Sequence, residues 1–196
     1  MPANFTEKER EKIRRDLIDT GFQMSRECGL KGMTISKLAE RCHIAKGTFY
    51  HFFASKEEFV LAMFADANRR EMDELATLMG GRKKLPIEEM IPWYRSLFTF
   101  EHNFMMWFTT EDYTWMKGHL RSFGLFDSER DKQTAKQLLG LVDGLRADYD
   151  IGVVVNFIKS IYSMTENRDS FCQESIETNI DLIFQAIYQY IKGEKL

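Results

Sequence analysis

Long apolar runs are missing from this 196-residue sequence. The longest stretch without Lys, Arg, Asp or Glu is Leu182–Ile191, ten residues, and a spanning helix needs about 20 apolar residues, so no membrane span is expected. No apolar segment lies within Met1 to Glu11, so no secretory leader is expected and the chain reads as cytoplasmic. Cysteine is scarce. Cys28, Cys42 and Cys172 are three, far apart and without a C-x-x-C pair, which argues against a disulfide framework and leaves them as small buried hydrophobes. Histidine is scarce too: His43, His51, His102 and His119. Glu40-Arg41-Cys42-His43 is a lone E-x-x-H, whereas di-iron bundles need two such motifs and two further Glu. H-E-x-x-H, G-x-S-x-G, Walker and G-x-G-x-x-G motifs are all missing. Neither an enzyme, a metal site nor a cofactor is expected.

Charge of one sign does not dominate. The net charge is -3, which excludes a uniformly basic coat, but the distribution is uneven. Residues 1–56 carry eleven Lys/Arg and seven Asp/Glu, and the remainder sixteen and twenty-three. A basic head on an acidic body suggests that the head meets a polyanion.

What is present is helical periodicity. Ile13, Leu17, Gly21, Met24 and Cys28 recur on one face of a first helix. Thr6 and Glu9 offer a capping box at its start, and Gly29 can take the left-handed conformation that ends it. No segment alternates long enough to demand a strand, and Val153-Val154-Val155 lies within the helical spacing Ile151, Val155, Ile158, Tyr162. The fold expected is all-α. Thr34 is a plausible N-cap for a short helix Ile35–Arg41; His43-Ile44 forms a tight turn, and Lys46–Phe53 a second short helix containing Gly47. Ser55-Lys56-Glu57-Glu58 opens a long helix to about Met79, and the Gly80-Gly81 pair before Pro86 closes it.

Helices this short need tertiary support. Leu38, Ala39, Ile44, Phe49 and Phe53 supply apolar contacts for a three-helix unit of helix-turn-helix type. Lys46, Thr48, Tyr50 and His51 place four potential donors on its second short helix, and Gly47 leaves room for a close approach.

The run Met33–Phe59, with its T-x-x-x-L-A, K-G-T-F-Y and S-K-E-E-F pieces in order, resembles the TetR family of bacterial transcriptional regulators over roughly residues 8–64. The resemblance implies an N-terminal helix-turn-helix DNA-binding domain, here 1–56, a connecting helix 55–79, and a helical ligand-binding and dimerisation domain, 80–196. It implies a homodimeric repressor that binds a near-palindromic operator in double-stranded DNA and is released by a small-molecule effector. By position, Thr34 and Tyr50 hold phosphates, Lys46, Gly47 and Thr48 lie at base edges, Lys56 anchors a phosphate, and Ser36 faces DNA. Two residues depart from the family pattern. Ala45 stands where Ser often caps the second short helix, and Phe52 stands where His or Tyr often bonds phosphate, a role that His51 next door could take. An activator or ligand-independent regulator of the same fold, or a helical small-molecule-binding protein that has lost specific DNA binding, are the alternatives.

Residues 93–126 hold 11 aromatics in 34 positions, including all three Trp. Such stripes read as core or as cavity wall; the resemblance places an effector pocket here. Trp93, Phe100, Phe104, Trp107, Phe108, Tyr113, Trp115 and Phe123 are the expected wall for a hydrophobic or aromatic effector. Glu101, His102, Glu111, Asp112 and His119 are the polar candidates. The last two helices carry Ile151, Val155, Ile158 and Tyr162, then Ile176, Ile180, Ile183 and Ile187. Apolar groups on more than one face require burial on more than one side, and the resemblance places the dimer interface on these residues.

Overall fold

Helices begin where the sequence supplies caps. In the computed structural model, which describes residues 5–99, 102–123 and 126–193, the Thr6 hydroxyl accepts the Glu9 amide while the Glu9 carboxylate accepts the Thr6 amide. This capping box opens α1 (Glu7–Gly32). Gly29 interrupts α1 at φ 66°, ψ 177°, a conformation closed to residues with a Cβ. The Thr34 hydroxyl accepts the Lys37 amide and starts α2 (Ile35–Arg41). α3 (Lys46–Phe49) follows, and then α4 (Lys56–Met79), where the Ser55 hydroxyl accepts the Glu58 amide and the Glu58 carboxylate accepts the Ala54 amide.

The chain forms two compact units, Met1–Arg70 and Glu71–Leu196, so the boundary falls within α4. In the first unit Leu17, Met24, Leu38, Phe49, Phe53, Phe59 and Met63 are buried. The rings of Phe49, Phe53 and Phe59 sit 5.1–5.6 Å apart, centroid to centroid. A Cβ at Gly21 would stand 2.6 Å from the Phe59 ring, so glycine is what lets α1 pack closely on α4. Arg70 bonds both Asp66 and Asp19 at 2.6 Å and ties the same two helices at the surface.

The second unit comprises the end of α4, β1 (Leu85–Pro86), α5 (Ile87–Ser96), α6 (Thr110–His119), α7 (Ser128–Leu139), β2 (Val142–Asp143), α8 (Ile151–Glu166) and α9 (Ile176–Lys192), with short 3₁₀ turns at Phe104–Trp107 and Arg121–Phe123. Helix dominates, and the fold is all-α as the periodicity predicts. One parallel bridge pairs Leu85 with Val142 and Pro86 with Asp143. Two residues are too few to leave a period in sequence. Two parts of the core can be traced among the described residues. Leu75, Leu85, Ile87, Met90, Val154 and Ile187 are among the residues of one, and Phe98, Met106, Ile161, Ile180 and Phe184 among those of the other.

The cysteines depart from expectation. Cys28 and Cys172 are exposed, because each lies on the outward side of its segment. Cys42 is half-buried, its Sγ 3.3 Å from the Thr20 hydroxyl, and burial pushes its thiol up.

Candidate nucleic-acid interface

The turn between α2 and α3 is fixed by backbone hydrogen bonds. His43 N–H donates to Glu40 C=O and Ile44 N–H to Ala39 C=O, both at 3.0 Å, which is the Schellman pattern of a helix C-terminus. His43 occupies the left-handed position, φ 54°, where glycine is usual. Ile44 then turns inward, and Ala45 is the N-cap of α3 but makes no side-chain cap bond.

The second short helix is shorter than expected. Only Lys46–Phe49 is α-helical, and residues beyond it continue through i→i+3 bonds, His51 to Thr48 and Phe52 to Phe49. An uncapped start and Gly47 weaken the wider α-turn, while burial of Phe49 and Phe53 fixes where the chain must go.

On this scaffold Thr34, Ser36, Lys46, Gly47, Tyr50 and His51 are exposed, and Thr48 is half-buried. Tyr50 closes α3 with 48% of its surface exposed, its ring held edge-on to buried Phe49 at 5.5 Å. A Cβ on Gly47 would meet nothing within 4 Å, so internal packing does not account for a glycine there. Lys56 is half-buried, and its ammonium donates to the Leu30 carbonyl at the end of α1. A phosphate near Lys56 would meet an ammonium that the fold already holds in place. Phe52 has a structural partner set: its ring lies 6.4 Å from Phe5, and the Arg10 guanidinium sits 5.2 Å from its centroid. It anchors the chain start instead of bonding phosphate.

Residues 17–63 match the family model described as bacterial regulatory proteins, tetR family. Within the N-terminal unit, this segment is similar to the DNA-binding segment of that family. The chain is 44% identical over 50 residues to the transcriptional repressor NemR of Escherichia coli K12, a match spanning 26% of this chain and 25% of that one. It is 36% identical over 56 residues to the uncharacterised regulator YuxN of Bacillus subtilis 168, covering 29% and 18%. The chain thus aligns with a quarter or less of these curated relatives. Among solved structures, E. coli NemR in reduced form superposes with a TM-score of 0.62 at 20% identity, over 91% of this chain and 97% of that one. A TetR-family regulator from Pectobacterium atrosepticum gives 0.63 at 15%, over 96% and 97%. At such identities these two share the fold.

The described residues of the aromatic segment fall into several separate environments. Phe104, Phe108 and Tyr113 interlock edge to face, 5.3 and 6.1 Å between centroids, and are buried as core. Trp107 and Phe123 are 41% and 54% exposed, and Trp115 stacks on His119 at 4.8 Å. Phe100 and Glu101 lie outside the described residues. A cavity of about 20 Å³, room for one water, is lined by Trp93 and Tyr94 with Met90, Leu139, Val154 and other apolar neighbours. Trp93 is the expected wall residue that it includes. Asp112 is buried as half of a capping box with Thr109. His119 bonds the Trp115 carbonyl and His102 the Thr99 hydroxyl. Glu111 is exposed on α6.

The isoleucine ladder faces inward. Val155, Ile176, Ile180 and Ile187 are buried in the core of their own unit, so they hold α8 and α9 to that core; Ile151, Ile158, Tyr162 and Ile183 are half-buried beside them. Leu182, which the ladder omits, is 56% exposed on α9. A single stripe reports which side of a helix is buried and is silent about the chain that buries it. Glu71 is the group that sequence reasoning missed. It lies one turn before buried Leu75 and two before Leu78 on α4, and an acid on an apolar stripe is the signal that would have found it.

Proposed function

We propose that this chain is a sequence-specific, DNA-binding transcriptional regulator, a repressor that leaves its operator when a small molecule occupies the second unit. The observation that carries the reading is the surface of α2 and α3: exposed Thr34, Ser36, Lys46, Tyr50 and His51 surround Gly47, whose missing side chain serves no internal contact. α3 enters the major groove, where Lys46 and Thr48 meet base edges and Gly47 lets the backbone come close. Thr34, Tyr50 and the ammonium of Lys56 meet phosphates. Two copies, joined through the outer sides of α8 and α9, present their α3 helices to half-sites about 34–36 Å apart. Effector and operator then weaken each other by the same free energy.

The test is selection of genomic fragments on the purified protein at about 150 mM salt, followed by footprinting and by titration of the selected site with Gly47→Ala. A protected near-palindrome is expected, and the Ala variant is expected to fold normally yet bind at least tenfold more weakly. Failure to enrich any fragment over bulk DNA, or an unchanged affinity for Gly47→Ala, overturns this placement of the interface.

A further inference from the structure

Arg10 and Arg14 stand where apolar residues would continue a stripe. With Leu17 and Gly21 they follow the helical spacing of one face of α1, and Leu17 and Gly21 are buried on it. Toward the start of the helix that face turns to guanidinium. Arg10 lies 5.2 Å from the ring centroid of Phe52 and Arg14 lies 5.4 Å from that of Phe53, yet both arginines are exposed. The two rings follow exposed His51 directly and stand in the chain between Tyr50 and Lys56, the groups assigned above to phosphate. Arg41, Arg70, Arg82, Arg95 and Arg146 each bond a carboxylate. Among the described residues Arg10 and Arg14 are in no ion pair. Residues 7–15 carry five cations against three carboxylates, and one of the three, Glu9, is taken up by Thr6. Like charges four residues apart on a helix repel, so this pair costs α1 stability until an anion arrives.

We propose that Arg10, seated on Phe52, is a further phosphate ligand of the operator interface, with Arg14 on Phe53 supporting it, and that Phe52 is its positioning residue. Phosphate binding here rests on the DNA-binding reading above. A guanidinium against an aromatic ring is held by cation–π attraction and keeps N–H groups for a bidentate oxyanion. A phosphodiester offers two unesterified oxygens to such a fork. The ring also narrows the freedom of a long side chain before DNA arrives, so less ordering is left to be done on binding.

The backbone beneath Arg10 is fixed as well. Its amide donates to the Thr6 carbonyl at 2.9 Å, within the turn that the capping box closes, and Phe5 lies 6.4 Å from the Phe52 ring. Phe52 therefore reaches phosphate at one remove: the ring bonds no oxygen, and the arginine over it does. Contacts of this kind add affinity and fix the orientation of the protein on the duplex, and they carry no base preference.

The experiment is salt titration and phosphate-ethylation interference with the full chain on the footprinted fragment, comparing the wild type with Arg10→Gln, Arg10→Lys and Phe52→Leu. Arg10→Gln is expected to weaken binding severalfold, to lower the slope of log affinity against log salt by about 1, and to abolish interference at one phosphate in each half-site. Arg10→Lys, which keeps the charge, is expected to keep the slope and the interference. Phe52→Leu is expected to weaken the wild type severalfold and to change Arg10→Gln little, because the ring acts through the arginine. Arg10→Gln serves alone if the Leu variant fails to fold. An unchanged slope and interference pattern in Arg10→Gln, even with a lowered thermal midpoint, means that Arg10 only supports the fold and overturns the phosphate ligand while the DNA-binding reading stands. Equal losses from Phe52→Leu with and without Arg10 overturn the positioning role. Absence of any operator complex of the wild type overturns the DNA-binding reading and the phosphate ligand with it.

Discussion

Gly21 and Gly47 look alike in sequence and behave oppositely in the fold. A Cβ at Gly21 collides with Phe59 and Met63, whereas one at Gly47 enters open space. Gly21→Ala is therefore expected to destabilise the chain by about 1–3 kcal/mol through overpacking, read as a lowered thermal midpoint. Gly47→Ala is expected to leave the midpoint unchanged or raise it. Glu71 gives a pH signature of its own. Its carboxyl is held at about 7 in the folded chain against an ordinary 4.5, so between these values the folded state keeps a proton that the unfolded state has released. Stability falls as pH rises through that window. Glu71→Gln is accordingly expected to raise the thermal midpoint near pH 8 and to leave it almost unaltered near pH 5. Residues such as Thr34, Ser55 and Thr6 were legible because a cap is a local device. Glu71 was not, because burial of a carboxyl depends on packing that neighbouring residues in sequence do not reveal.

Elements with a strong stripe and a cap at each end can be read directly: α1, α2 and α4 begin where Thr6, Thr34 and Ser55 stand, and α4 ends at the Gly80-Gly81 pair, with φ 54° and 79°. α3 ends earlier than its spacing predicts, because an uncapped four-residue helix is set by the burial of Phe49 and Phe53 and has little period of its own. Ala45→Ser adds the missing cap oxygen and is expected to stabilise the unit by about 1 kcal/mol, measured by denaturant titration, and to tighten operator binding. The faces of α8 and α9 separate two roles that the sequence merges. Ile180→Asp buries a charge in the core and is expected to unfold the second unit. Leu182→Asp, on the exposed side, is expected to keep the helical circular dichroism and lower self-association in sedimentation.

At the scale of the whole molecule the helical class followed from the absence of alternating segments, and the N-terminal unit from a motif dense enough to match a family over residues 17–63. The second unit was harder. Eleven aromatics in 34 positions signal that something is buried, but the same density serves interlocked core rings, a stacked surface pair and a cavity edge. Composition does not distinguish them, since each outcome depends on neighbours far away in sequence. The basic head predicts strong salt dependence for DNA binding. Lys56→Ala is expected to reduce the slope of log affinity against log salt by about 1, and also to lower stability slightly, since the ammonium holds the Leu30 carbonyl.

The Leu85 amide donates to the Leu141 carbonyl at 2.8 Å, and Leu85 is fully buried. The intervening chain includes α5, α6 and α7, so this bond and the bridge beside it close a long loop whose entropy must be overcome before they can form. In hydrogen-exchange terms the Leu85 proton has no local route to solvent protection: neither α4 nor α5 supplies its acceptor. Its exchange rate reports the opening of the loop as a whole, and a ligand that stabilises the second unit will slow that single amide by the same factor as it slows global unfolding.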